Sequence, residues 1–297
     1  MKKLLFKRLP YEQRHQYAGL AFMAPWIVGV TVFFLYPFIA SFYLTFCDIT
    51  FSGEGMITKF SGLANIKTVY MTQAYPIQCI AEAVGSAVLD LVVITFLSLF
   101  VAVLLNQKFK GRALARTVFA IPVIVASGTL MALFKSDLSA SSMMEEASTI
   151  FNGTGMEQIL ISFGLSTDTI EAFVGLINTA LDLIWRCGVQ ILLFLSGMQS
   201  IPTYLNEVSD IDGATAWQKF WKITFPLITP MILINAIYTL VESSTYYNNP
   251  VMKEIAWKFD GLKFGYCNAL GMGYCLIMLI IIAVVYKIIS ARTVYLD

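Results

Sequence analysis

Six apolar stretches set the terms for this chain: residues 20–46, 84–105, 117–134, 173–198, 225–241 and 266–289. A helix needs about 20 such residues to cross a hydrocarbon core of ~30 Å. Composition supports the same reading, with 58% hydrophobic and only 13% charged residues among 297. A soluble domain carries roughly a quarter charged residues, so most of this exterior must face lipid. The expected fold is therefore all-α, a polytopic membrane protein with about six transmembrane helices. The third and fifth stretches are the shortest.

Several function classes drop out. A net charge of +1 offers no attraction to nucleic acid. The single histidine, His15, leaves little material for a metal site or a histidine-based triad. The five cysteines have neither CxxC nor metal-ligand spacing. Cys47, Cys79 and Cys267 fall near the expected outer face, which leaves one disulfide open, but small apolar fillers in helices are the preferred reading. The basic residues Lys2, Lys3, Lys7 and Arg8 precede an uncharged run from Gln16 to Cys47. That run exceeds a signal-peptide core of about 7–15 residues, so it reads as a retained first span.

Lysine and arginine placement gives the orientation. One side collects the N-terminal tail, Lys108, Lys110, Arg112, Arg116, Lys219, Lys222, Lys287 and Arg292. The other holds Lys59, Lys67 and a segment, 137–171, with acids but no Lys or Arg. Lys253, Lys258 and Lys263 are the exception there. Both termini are expected inside. Residues 1–19 read as a cytoplasmic tail and 20–297 as one transmembrane domain, with 137–171 an external loop carrying short amphipathic helices. Residues 199–226 form a cytoplasmic loop.

That cytoplasmic loop is the most informative stretch. Pro202 suits the first turn of a helix, where a missing N–H costs nothing. Tyr204, Val208, Ile211 and Thr215 recur at helical spacing, and Gly213 is placed to end the helix in a left-handed conformation. A second amphipathic helix follows, with Trp217, Phe220 and Trp221 on one face. Pro226 then opens the fifth span. Such a short helix, lying on the inner face, can dock into a groove on another protein.

The loop resembles the EAA signature of ABC importer permeases, in which Glu, Gly, Ile and Leu-Pro stand at fixed separations. Glu207, Gly213, Ile223 and Pro226 fall at those separations, and Asp212-Gly213-Ala214 matches a common form of the motif. Val208 and Ser209 replace its two alanines, and Phe225 its leucine. Other stretches agree with the carbohydrate-type, maltose-like permeases: Leu104-Leu105-Asn106-Gln107 with Gly111, Arg116 and Pro122; Pro25 and Tyr36-Pro37; Phe60 to Asn65; and Phe194 to Pro202. The likeness runs from about Tyr17 to Arg292, and 137–171 matches poorly.

This resemblance implies the type I ABC importer permease fold and a non-catalytic role. It implies a second permease subunit, two cytoplasmic ATPase subunits that carry ATP and Mg, and an extracellular substrate-binding lipoprotein. It implies a bacterial cytoplasmic membrane, a heteromeric complex, and a di- or oligosaccharide moved by alternating access. No GxxxxGK[ST] phosphate loop is present, so no cofactor is expected on this chain. Cavity-facing groups are sought among ionisable and aromatic residues within spans. Asp90 lies in the second span, and Asp182 and Arg186, four apart in the fourth, could form an ion pair. Trp185, Asn235, Tyr238 and Glu242 could stack on and hydrogen-bond to a sugar, with Tyr274 in the sixth span a further candidate; packing roles compete for each.

Two other readings are weighed. A secondary transporter would use Asp90 and Asp182 at midplane, but no inverted repeat is evident. A membrane-embedded transferase finds a start in Asp212-Gly213 with Ala216, yet Trp217 stands where arginine is needed and the later aspartate pair is absent.

Overall fold

A computed structural model describes residues 11–52, 55–107, 109–125, 175–176, 179–180, 182–246 and 248–293. The external loop 137–171, much of the third span and the start of the fourth lie outside the described residues, as do residues 1–10 of the expected tail. Among the described residues three helices are long and apolar enough to cross a membrane: Phe22–Leu44, Tyr75–Asn106 and Phe264–Ser290. They coincide with the first, second and sixth expected spans. The second begins about two turns earlier than its hydropathy predicted, at Tyr75, because Pro76 suits a first helical turn.

The chain divides into two compact units, Met1–Ala83 with Tyr246–Ile277, and Val84–Thr245 with Met278–Asp297. The first unit opens with α1 (Tyr11–Val30) and α2 (Tyr36–Leu44), joined without a break by a π-helical turn, Thr31–Leu35. The turn immediately precedes Tyr36-Pro37. In a straight α-helix the Pro37 ring would collide with the carbonyl of Phe33, and widening that turn relieves the clash. No described side chain from Phe22 to Ile39 is buried within the chain, as a lipid-facing span requires.

Next comes a two-stranded antiparallel hairpin, β1 (Cys47–Ser52) and β2 (Gly55–Phe60). Hydropathy gave no sign of it, since both strands are short and mixed. Asn65, in the short helix α3 (Ala64–Lys67), ties it down by donating from Nδ2 to the carbonyls of Thr45 at 3.2 Å and Cys47 at 2.9 Å. A second π-turn, Thr68–Thr72, follows and leads into α4 (Tyr75–Asn106).

In the same unit α11 (Pro250–Asp260) precedes α12 (Phe264–Ser290). Asn249 caps α11 through Oδ1, which accepts from Val251 N–H, while its Nδ2 donates to the Tyr274 hydroxyl oxygen at 2.9 Å. The C-terminal end of α11 is unusual. Leu262 adopts φ 58° and its N–H reaches the Phe259 carbonyl, while Lys263 N–H reaches that of Lys258. This closure normally places glycine at the left-handed position, and here Gly261 sits one residue too early. Leucine in that conformation costs roughly 1–2 kcal/mol.

Two glycines of α12 make room for close neighbours. A Cβ on Gly265 would meet Asn65 Nδ2 at 2.5 Å and the Cys47 carbonyl oxygen at 2.6 Å, and one on Gly273 would overlap the Tyr70 phenol. The Tyr70 hydroxyl donates to the Ala269 carbonyl at 3.3 Å, and burial pushes its pKa up from the ordinary value.

The second unit contains α5 (Arg112–Val125), a short helix at 182–186, α6 (Gly188–Gln199), α7 (Thr203–Ile211), α8 (Ala216–Lys219), α9 (Phe225–Leu227) and α10 (Thr229–Thr245). Its core joins Ile94, Ala102 and Leu105 of α4 to Ile191, Phe194, Leu195 and Met198 of α6 and to Ile228. Within a bilayer, packing rather than water exclusion drives such contacts. Gly197 serves it directly, because Met231 lies where a Cβ would stand. All five cysteines are free thiols, four of them buried.

Gly265→Ala is expected to cost ~1–3 kcal/mol through overpacking, because one of the obstructing atoms is backbone. Gly271→Ala meets only the tip of Ile255 at 3.6 Å and should melt like the parent in detergent. Equal melting of both variants would show that the hairpin can yield.

Candidate functional site

Two features of the second unit carry functional geometry. The first is the loop around α7. The helix starts at Thr203, with Pro202 just outside it as the capping residue at φ −58°, ψ 133°, rather than within the first turn. It ends as the glycine predicted. Gly213 takes φ 69°, its N–H bonds the Asp210 carbonyl, and Ala214 N–H bonds that of Ser209. Those two bonds satisfy carbonyls the helix end would otherwise leave open. Asp212 is the capping residue and is exposed.

The surface of α7 is inverted relative to an ordinary soluble helix. Tyr204, Val208 and Ile211 are exposed, Ile211 at 86%, and Glu207 is exposed among them. The buried position is a serine, Ser209, whose hydroxyl bonds the Asn206 carbonyl at 2.7 Å. An apolar stripe turned outward with a carboxylate beside it is the pattern of a docking helix.

The stripe is held rigidly. Asp210 forms an ion pair with Lys219 of α8. Thr215 and Gln218 make a reciprocal capping box, Gln218 N–H to Thr215 Oγ1 at 3.3 Å and Thr215 N–H to Gln218 Oε1 at 2.9 Å. Beyond α8 a π-turn, Phe220–Thr224, precedes Phe225-Pro226, repeating the grammar seen before Pro37. Ile223 is half-buried in that turn. Trp217, Phe220, Trp221 and Phe225 pack edge-on or tilted, with centroids 5.0–6.1 Å apart. The fifth span is thus not one straight helix from Pro226. It breaks at Ile228 and restarts as α10, with Thr229 Oγ1 donating to the Pro226 carbonyl at 2.6 Å.

The second feature is a buried polar seam. Arg186 donates from Nη2 to Asp90 Oδ2 at 2.6 Å, and the Ser243 hydroxyl reaches the same oxygen at 2.7 Å. Gln190, one turn beyond Arg186, donates to Glu242 Oε2 at 2.7 Å and to Thr239 Oγ1 at 3.3 Å. The seam therefore joins α4, the 182–186 helix, α6 and α10. Arg186 is thus hydrogen-bonded to a carboxylate 96 positions away in sequence, Asp90, beside its sequence neighbour Asp182 four residues earlier.

Asn235 lies on the same face of α10 as Thr239, Glu242 and Ser243, at helical spacing. It is fully buried, and neither atom of its side-chain amide finds a partner among the described residues. Tyr238 is about one-third exposed. The other two pathway candidates have other surroundings. Trp185 is half exposed and lines an apolar hollow of about 480 Å³ with Leu97, Val101, Val118, Phe119 and Ile184. Tyr274 belongs to the first unit, buried and engaged by Asn249.

Sequence reasoning missed Gln190, Thr239 and Ser243. A readable signal existed, because polar residues at 235, 239, 242 and 243 form a single helical stripe within an apolar run.

Residues 83–247 match the protein family described as "Binding-protein-dependent transport system inner membrane component". Among curated proteins, the chain is 28% identical over 225 residues to a lactose transport system permease protein of Rhizobium radiobacter, covering 75% of this chain and 71% of that one. It is 27% identical over 293 residues to an arabinooligosaccharides transport system permease protein of Bacillus subtilis, covering 93% and 88%. A solved structure of a bacterial alginate ABC transporter, in complex with a pentasaccharide-bound periplasmic protein, superposes at TM-score 0.68 with 17% identity, covering 94% of this chain and 96% of that one. That likeness concerns the fold.

Arg186→Met is expected to cost ~3–5 kcal/mol by stranding the Asp90 carboxylate. Adding Asp90→Leu should recover most of that loss in thermal unfolding. A double variant no more stable than the single would mean the pair is not the tie it resembles.

Proposed function

Since this chain belongs to the family of binding-protein-dependent transport system inner membrane components, we propose that it forms one membrane-spanning subunit of an ATP-driven bacterial importer for a di- or oligosaccharide. Its place is the bacterial cytoplasmic membrane. Its companions are a second permease subunit, two cytoplasmic ATPase subunits that hold ATP and Mg, and an extracellular binding lipoprotein that delivers the sugar. The chain itself performs no ATP chemistry and holds no cofactor.

The observation that carries this reading is the surface of α7. Its exposed stripe of Tyr204, Val208 and Ile211 beside Glu207 is the surface offered to an ATPase groove. Asp212, Gly213 and Ala214 close the helix behind it, and Ile223 and Pro226 lead its motion into α10. The names of the relatives support the class of cargo, since they transport lactose and arabinooligosaccharides.

In this mechanism, closure of the ATPase dimer moves α7, and α10 moves with it because only α8, a π-turn and α9 intervene. Alternating access follows as the bundle around α10 rearranges. Asn235, Tyr238 and Glu242 present amide, phenol and carboxyl groups suited to sugar hydroxyls, with Gln190 orienting Glu242. Trp185 and Tyr274 contribute to the walls of the pathway. A proton- or sodium-coupled carrier is less well supported, because Asp90, which it would need free, is already held by Arg186 and Ser243.

The test is co-purification from the native host in mild detergent, followed by uptake into proteoliposomes. Recovery of an ATPase and a second permease is expected, together with ATP-dependent sugar uptake. Glu207→Lys and Gly213→Val should insert normally but lose the ATPase and slow uptake by about tenfold or more, equivalent to ~1.4 kcal/mol of coupling. Uptake that needs no ATP, by a chain that purifies alone, would refute the assignment.

A further inference from the structure

The three lysines that broke the charge rule, Lys253, Lys258 and Lys263, converge in the first unit. Two cavities lie there, of about 690 and 340 Å³, and both are lined by Gln73 and Lys258. Volumes of this size accommodate one or two sugar rings each. Tyr75, Lys253, Glu254 and Trp257 complete the larger cavity, while Lys263 and the loop closed by Leu262 border the smaller.

The floor is a built structure. Lys258 lies 3.6 Å from Glu254, its ammonium is 4.1 Å from the Trp257 ring centroid and 5.4 Å from that of Tyr266, and the Tyr266 hydroxyl donates to Glu254 at 3.1 Å. The Glu254 side chain is only 4% exposed. Burying an ion pair is costly, and here it holds an indole in place while leaving that indole 66% exposed.

Charge then selects the ligand. Glu254 is answered by Lys258. Asp48, on the wall of the smaller cavity, faces Lys59 directly across the hairpin. Lys253 and Lys263 are exposed and form no salt bridge with any described carboxylate. A planar aromatic surface, an amide and two uncommitted ammonium groups fit a sugar ring that bears a negative group.

We propose that these adjoining cavities bind an oligosaccharide carrying carboxylate or comparable anionic groups, with a ring against Trp257 and successive charges against Lys253 in the larger cavity and Lys263 in the smaller. The proposal rests on the importer reading for the presence of saccharide, and it uses residues other than Asn235, Tyr238 and Glu242. A lipid-interface helix would also display tryptophan and lysine, but it would not need Gln73 and a buried Glu254–Lys258 pair set into paired cavities.

The experiment is equilibrium binding to the purified complex in nanodiscs of zwitterionic lipid, with a galacturonate pentamer and neutral maltopentaose as probes. The galacturonate pentamer should bind about tenfold or more tightly than maltopentaose, and raised salt should weaken it. Trp257→Ala and the Lys253→Ala/Lys263→Ala pair should each weaken it by about tenfold. All three side chains are exposed, so folding is spared, and unchanged melting checks this. No binding, binding indifferent to these changes, or equal affinity for both probes would overturn the site. So would anionic lipid binding at Trp257 with no saccharide response. If the ATPase fails to co-purify while the pentamer still binds through Trp257, the groove stands and the importer falls; the reverse pattern keeps the importer and removes the groove.

Discussion

Hydrocarbon offers no hydrogen bonds, and much of this structure follows from that fact. A polar group inside a span must find its partner on the same chain or on a companion. Asp90, Arg186 and Ser243 solve this with one another, as do Gln190, Thr239 and Glu242. These bonds do more than neutralise charge. Because Ser243 reaches α4 while Thr239 and Glu242 meet Gln190 of α6, they fix which face of α10 turns toward α4 and which toward α6. Asn235, on the same face, is buried with no partner for its amide among the described residues, and a buried amide left so is costly.

The same constraint acts on the backbone. Twice, a five-residue π-turn stands immediately before an aromatic residue and proline, at Tyr36-Pro37 and at Phe225-Pro226. Proline cannot donate and its ring pushes away the carbonyl one turn back. Widening the preceding turn preserves helical continuity where a plain break would expose several backbone groups. At the second of these sites the result is a short jointed connector between the exposed apolar stripe of α7 and the polar stripe of α10. The glycine closure at 213 and the Asp210–Lys219 pair brace the chain on the N-terminal side of that connector.

The first unit obeys a different logic, set by small residues and by fixed polar clasps. Gly265 and Gly273 bring α12 against Asn65, Cys47 and Tyr70, and Asn249 grips both α11 and Tyr274. With the backbone so held, the strained Leu262 and the buried Glu254–Lys258 pair can persist around the groove. Strain and buried charge survive only where the surrounding structure over-determines them.

Much of this was legible in the residues alone. Apolar run length determined the spans at 20–46, 84–105 and 266–289, since only a helix of that length satisfies its own backbone in lipid. The positions of Gly213, Trp217, Phe220 and Pro226 determined the local form of the loop between α6 and α10, because capping and helical periodicity are local. Tertiary structure decided what depended on distant partners. Arg186 donates to Asp90, 96 residues earlier in sequence, a pairing that depends on which helix faces pack together. The hairpin at 47–60 and the lysine-lined groove came from pairings between segments far apart in the chain, and no local pattern records which segments will meet.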